Sequence, residues 1–527
     1  MLPGSRPDVE FNLNRAPVVI PDDGCSLLEA LRDRLGVRSA KDGCSPQGQC
    51  GCCTVWVDGS PRVACVTPAA RVRGREVTTA EGLDSTVAEA WSQAMCSTGA
   101  SQCGFCTPGI VMRLAAVAQR SALTPEIVDQ ALLAHLCRCT GWQTIHEAAQ
   151  RINVGPPVAA AVVRMQGRAE RRAELEGGTA QRVDPDVALG AGGFADDTAP
   201  ADALIALRRD DGEWVVGETL TEARRVAGKV QGRRTTAPVT WPIAVPPGDW
   251  FRTLQTTWVE PAYLEPDSSW CLPGGEPMTA RGNGGAFGGK TNSAVGAVAR
   301  ELADRHGRAV RVLYSREDVV RLGPKRPPLA AGLRSDGTGI VRVARTAGIV
   351  RAINRVAPGL AVEEVDIAGP PTSIDLRGAG WVEAAVLLSS LTIPLAPTDT
   401  TRSVDTIHAP NGAVARAAID ADGTISVTVR CGDVLDEVVL RSYAIGAAHM
   451  ALGWVRSEGL AVDADGVVHD LTIRSFGALR AIDTPRIAVT IAGDHGPPIN
   501  GSDAVFAAVA AAAWRHSGFS PAWPLTA

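Results

Sequence analysis

The sequence predicts an α+β multidomain protein. Three observations point there. The chain has 527 residues, enough for about three or four hydrophobic cores. Of its 13 cysteines, 11 fall at or before Cys139. After about residue 186 the texture changes: cysteines become rare, and glycine, proline and short β-type runs alternate with helical stretches such as 292–305.

Composition narrows the class. Hydrophobic residues make up 45% and charged residues 21%, ordinary for a globular chain. A net charge of −5 gives no basic footprint for nucleic acid. The longest apolar run, Ala504 to Trp514, is far shorter than a membrane span, so no membrane partner is expected. The start, MLPGSRPDVE, shows neither a positive-then-apolar signal peptide nor a twin-arginine pair. The expected location is the cytoplasm.

Residues 1–80 read as a small mixed domain. Ser26 to Leu35 has helical spacing, with Leu27, Leu28, Leu31 and Leu35 on one face. Thr54 to Val57 reads as a strand, and Asp58-Gly59 is a hairpin turn signal. Residues 81–152 read as helical, with apolar spacing over Ile110 to Gln119 and Pro125 to Leu136. Thr124 before Pro125 marks a helix start, threonine as cap and proline in the first turn. Residues 153–185 read as a linker with a helical middle. Residues 186–250 and 251–527 follow as two further units.

Eight of the 11 cysteines in the first 140 residues fall into two sets of four. Cys44, Cys50 and Cys53 share one loop and Cys65 returns across the hairpin. Cys103 and Cys106 form C-x2-C, and Cys137 and Cys139 form C-x-C, both at predicted helix ends. Four thiolates hold an iron–sulfur cluster, and the first set is laid out like a plant-type ferredoxin loop, with five residues rather than four in its first gap. Cys52 is an extra thiol inside that loop. Gly48 and Gly51 let backbone N–H groups approach the sulfurs. A reducing compartment argues against disulfides. Structural zinc is the competing reading, though its ligand pairs are usually two to four residues apart.

QCGFCTPG followed by LCRCTG resembles the iron–sulfur region of the xanthine dehydrogenase/aldehyde oxidase family of molybdenum hydroxylases, over roughly residues 10–150. The resemblance implies a β-grasp ferredoxin domain (1–80) and a helical-bundle domain (81–152), each with a 2Fe-2S cluster held by its four cysteines. It implies that Gln102 hydrogen-bonds a pterin beside the second cluster.

The segment from Gly282 to Thr291 (GNGGAFGGKT) fits a P-loop literally, as Gly284-x4-Gly289-Lys290-Thr291. The strand at Ala309 to Tyr314, running into Ser-Arg-Glu-Asp, weakly echoes a magnesium-binding segment. The same stretch also resembles the family's molybdopterin-binding subunit, which implies that Gly285, Phe287 and Gly288 lie against the molybdenum–molybdopterin cofactor. Thr291 stands where purine-oxidising members have glutamate, so xanthine is not the expected substrate.

Gly192 to Pro200 resembles the family's entry domain, giving a shortened, hammerhead-like unit at 186–250 and an α+β molybdopterin-binding-type region at 251–527. Trp258 to Pro266 resembles a segment bordering the active site. Leu376 to Ala384 resembles the Arg-Gly-x-Gly segment, which implies that Arg377 holds or polarises substrate oxygen.

Two departures stand out. The stretch between Lys325 and Asp436 is contracted, and the Gly-Gln-Gly pterin contact has no counterpart. Ile499 stands where the family places its catalytic glutamate, and isoleucine takes no proton. Asp503, four residues on, is the candidate substitute base.

The expected activity is hydroxylation of an aldehyde or N-heterocycle with oxygen drawn from water. Electrons would pass through both clusters to an external flavoprotein, ferredoxin or cytochrome. The alternatives are a 2Fe-2S electron-transfer protein or subunit with a non-catalytic C-terminal region, and a P-loop nucleotide enzyme. A homodimer or a partner subunit fits either oxidoreductase reading.

Overall fold

The computed structural model describes residues 7–154, 165–228, 237–279, 284–391, 405–469, 471–493 and 495–525. Gly282 and Asn283 of the glycine-rich segment lie outside them.

The first sheet is built by alternation: in Val9–Leu13 every second side chain is buried. Its five strands run in the order Ala16–Ile20, Val9–Leu13, Glu76–Thr78, Thr54–Val57, Ser60–Val63. The central pair, Val9–Leu13 with Glu76–Thr78, is parallel, as in a β-grasp. Asp58 and Gly59 both have positive φ, 48° and 71°, which suits the tight hairpin the sequence predicts. The helix expected over 26–35 is short. It is α-helical over Leu27–Glu29 and widens over Ala30–Arg34, ending with the Leu35 N–H on the Ala30 carbonyl.

Helices Ser85–Thr98, Thr107–Ala118, Pro125–Leu132 and Gln143–Val154 form the second unit. The hydroxyl of Thr124 accepts the N–H of Ile127 at 3.4 Å, the predicted cap. The third helix stops at Leu132, four residues short of expectation. Residues 137–139 then lie in an irregular, bent segment between helices rather than at a helix end.

Two sequence boundaries move. In the expected linker 153–185, helix Gln166–Gly177 is packed into the protein, and its Arg172 and Glu176 side chains are fully buried. A linker would be solvated; this helix is part of a core. The boundary at 250 also fails, because one sheet crosses it. That sheet runs Trp214–Gly217, Leu204–Arg208, Val310–Leu313, Ser268–Cys271, and helix Val295–His306 packs on it. A third sheet is Leu360–Val365, Gly339–Ala344, Leu329–Leu333, Arg252–Gln255. A fourth, Asp405–His408, Val414–Ile419, Ile425–Arg430, Ile487–Ile491, carries the last helix, Ser502–His516.

Helix Glu437–Arg456 corrects the membrane reading in part. It is long and apolar enough to span a bilayer, but 89% of its most apolar window is buried inside the fold, against the last helix and the second unit. It is a core helix. Gly446 lets it lie directly on the loop of the second cysteine set: a Cβ there would come within 1.8 Å of the Cys139 carbonyl oxygen.

Candidate functional site

All 13 cysteines are free thiols. In the first set Cys44 touches Cys50 and Cys65, and Cys65 also touches Cys53. In the second, Cys103 Sγ lies 3.5 Å from Cys139 Sγ, and Cys106 meets Cys137. Contact with Cys106 pushes the Cys137 thiol down to about 6, while Cys106 and Cys139 are pushed up by their partner thiols and by burial. Packed thiols share protons, and a bound metal takes the place of those protons. Among the described residues no three ligand side chains converge on a point fit for one metal ion. The second set meets in pairs instead, as two irons with two thiolates each require. Cys52 is buried as well, but its Sγ–H donates to the Cys50 carbonyl at 3.8 Å.

The two sets are tied to each other and to the C-terminal region. The N–H of Leu136 donates to the carbonyl of Cys50 at 3.0 Å. Arg138, between Cys137 and Cys139, forks onto Glu458 at 2.6 and 2.7 Å, both side chains buried. Gln102 donates to the Cys139 carbonyl at 3.0 Å and to Ser442 Oγ at 2.8 Å. Its Oε1 is buried without a protein partner.

Arg377 and Asp503, far apart in sequence, meet. Arg377 Nε is 3.0 Å from Asp503 Oδ1, and Nη2 donates to Ser502 Oγ at 3.0 Å. The guanidinium lies 4.0 Å from the centre of the Phe287 ring. Burial pushes the Arg377 pKa down. Asp503 is pushed up, first by desolvation and then by the nearby charge of Glu176, against the opposing pull of Arg377. Its side chain keeps 30% of its accessibility although protein crowds around the carboxyl. Phe287 holds a positive φ of 44°, and Gly288 follows at 92°, where a Cβ would strike the Asp375 carbonyl oxygen.

A cavity of about 40 Å³ opens beside Arg377. Phe287, Arg326, Trp454 and Phe506 wall it, together with Arg138 from the second cysteine loop. Arg326 stacks 4.2 Å from the Trp454 ring and pairs with Glu383 at 2.7 Å.

The nucleotide reading is contradicted. Lys290 is buried against Glu265 at 2.6 Å, so its charge is already spent within the protein. The following helix starts at Val295, not at Lys290-Thr291 where a P-loop needs it. Asp318 caps its own helix by exchanging hydrogen bonds with Ser315 and marks no magnesium site.

Sequence reading missed Arg138, Glu458, Arg326, Glu383, Arg172 and Glu176. Only Arg172 and Glu176 carried a local signal, an i,i+4 pair on one helix.

A family model for a 2Fe-2S binding domain matches residues 79–150. The nicotinate dehydrogenase small FeS subunit of Eubacterium barkeri is 35% identical over 143 residues, 27% of this chain and 90% of that subunit. The chain belongs to the xanthine dehydrogenase/aldehyde oxidase family of molybdenum hydroxylases.

Xanthine dehydrogenase of Drosophila pseudoobscura pseudoobscura is 41% identical over 141 residues, but these span only 10% of its length. The fold extends further. The aldehyde oxidoreductase of Desulfovibrio gigas superposes with a TM-score of 0.64 over 96% of this chain and 97% of that one, at 15% identity. The α+β multidomain architecture is therefore that of the family, and the two cysteine sets, buried except for the half-buried Cys103, have the donor chemistry of its 2Fe-2S clusters. The unpartnered Gln102 Oε1 beside the second set fits the N–H donor of a pterin amine.

Proposed function

We propose that the chain is an oxidoreductase that hydroxylates an aldehyde or N-heterocycle with oxygen from water and sends the electrons out through two 2Fe-2S clusters. One observation carries this reading: Arg138, between cluster ligands Cys137 and Cys139, walls the same cavity as Arg377 and Phe287. Reaction pocket and electron exit share a side chain.

When bound, a molybdenum–molybdopterin centre supplies the two-electron oxidation and the clusters relay single electrons. Gln102 Oε1 would hold the pterin amine, and the backbone of Gly285, Phe287 and Gly288 would line the centre. Arg377 polarises the substrate oxygen from a dry, paired position, where its charge acts strongly. Asp503 accepts the proton, because burial keeps its carboxyl more basic than an exposed one. Phe287, Trp454 and Phe506 exclude water. The acceptor is an external flavoprotein, ferredoxin or cytochrome, or a partner subunit, and the thiol-rich chain suits the cytoplasm.

A second reading, a 2Fe-2S carrier with a non-catalytic C-terminal region, is favoured by the cavity: about 40 Å³ holds one or a few waters. Metal analysis of protein from a host that makes the cofactor separates the two. About four irons and about one molybdenum per chain support the enzyme. Iron without molybdenum supports the carrier, and iron-free, colourless protein removes both.

A further inference from the structure

Helix Gln166–Gly177 reaches the far end of the chain. Arg172 Nε donates to the Val434 carbonyl at 3.1 Å and Nη1 to the Ile499 carbonyl at 2.8 Å, with Nη2 on the Asp433 carbonyl. Nη1 also meets Glu176 Oε1 at 3.0 Å. The Glu176 carboxylate accepts the N–H of Gly501 at 3.1 Å and of Ser502 at 2.9 Å. These are the opening N–H groups of helix Ser502–His516, which has no partner of its own for them and needs a buried acceptor. A carboxylate also suits the positive end of the helix. The preceding loop, Gly496-Pro497-Pro498-Ile499-Asn500, carries no acid.

The same helix start presents Ser502 Oγ and Asp503 Oδ1 to one guanidinium, that of Arg377. Glu176 therefore grips the backbone whose next two side chains build the pair.

We propose that Glu176 is a positioning residue for the Arg377–Asp503 pair, supplied from the segment between the cluster domains and the C-terminal region. Its carboxylate stands at the start of the last helix, just after Ile499, and is engaged by Arg172 and two backbone N–H groups. It holds the site. The inference gives the interdomain helix a task in the site itself: without it the Gly501 and Ser502 N–H groups lose their acceptor, leaving the Asn500 cap on the Asp503 N–H. Its catalytic meaning rests on the proposed function; its geometry does not.

The test uses the full chain with clusters loaded. The infrared carboxylate band of Asp503 is isolated as wild type minus Asp503→Asn, and the two 2Fe-2S EPR signals report an intact fold. In Glu176→Gln the Asp503 band shifts as its pairing with Arg377 loosens, while both EPR signals remain. With molybdenum present, kcat falls by about 10²-fold at little change in KM, the effect of misplacing a reacting group. An unmoved Asp503 band with both EPR signals intact overturns the proposal. Should Glu176→Gln not fold, Arg172→Met/Glu176→Gln leaves no lone buried charge and is read the same way. Should neither fold, Glu176→Asp decides, since it keeps the charge but withdraws the carboxylate from the Gly501 and Ser502 N–H groups: an unmoved Asp503 band there overturns the proposal, and a shifted one supports it. Wild-type protein without molybdenum or turnover sinks the proposed function, yet the Asp503 band still decides the role of Glu176.

Discussion

The N–H of Leu136 donates to the carbonyl oxygen of Cys50 at 3.0 Å. Cys50 belongs to the first thiol set, and Leu136 is bonded to Cys137 of the second. One hydrogen bond thus completes an otherwise covalent route between the two thiol sets.

The proposed assignment gives each thiol set its own cluster. Cys137→Ser should abolish or alter one of two 2Fe-2S EPR signals and spare the other. Identical spectra before and after would contradict the ligand assignment.

Arg138 and Glu458 are both buried and neutralise each other across the domain boundary. Arg138→Ala leaves Glu458 without this fork and should cost about 3–5 kcal/mol. Arg168→Ala, at the exposed and solvent-screened pair with Asp433, should cost far less. Denaturant unfolding of the two variants compares them; equal losses would show that the buried fork does not hold the domains together.

Asp503 has its pKa raised by burial, so below that value it is protonated and takes no further proton. Activity should fall as pH drops through a midpoint above 3.8, the ordinary value. Asp503→Asn should remove that limb and lower kcat/KM by about 10²–10⁴-fold. Full activity in the variant dismisses Asp503 as the base.

His449 is buried in helix Glu437–Arg456, which pushes its pKa from 6.5 down to about 3. Between those values the unfolded chain binds a proton that the folded chain refuses. Its contribution to stability is therefore full above pH 6.5 and is lost as pH falls toward 3, by at most about 1.4 kcal/mol per pH unit. His449→Gln should flatten the pH dependence of unfolding in that window. A slope unchanged from wild type would mean that the buried imidazole titrates normally.

Lys290 serves Glu265, not a phosphate. Lys290→Ala should lower stability and leave any nucleotide affinity unchanged. ATP binding abolished by the substitution, in a variant that still folds, would restore the P-loop reading.

The sequence by itself determined the metal chemistry and the local turns. Two sets of four cysteines are short-range patterns, and so are the Asp58-Gly59 turn and the Thr124 cap, because each is fixed by residues a few positions apart. Tertiary structure alone decided the rest. It brought Arg377 to Asp503, seated Arg138 on Glu458, drew the 186–250 strands into one sheet with Val310–Leu313, and turned the expected linker into a core helix whose Glu176 holds the start of the last one. These are contacts between residues tens to hundreds of positions apart. Burial makes each ionic partner necessary, since an unpaired charge in the interior is costly, but no periodicity names which distant residue will supply it.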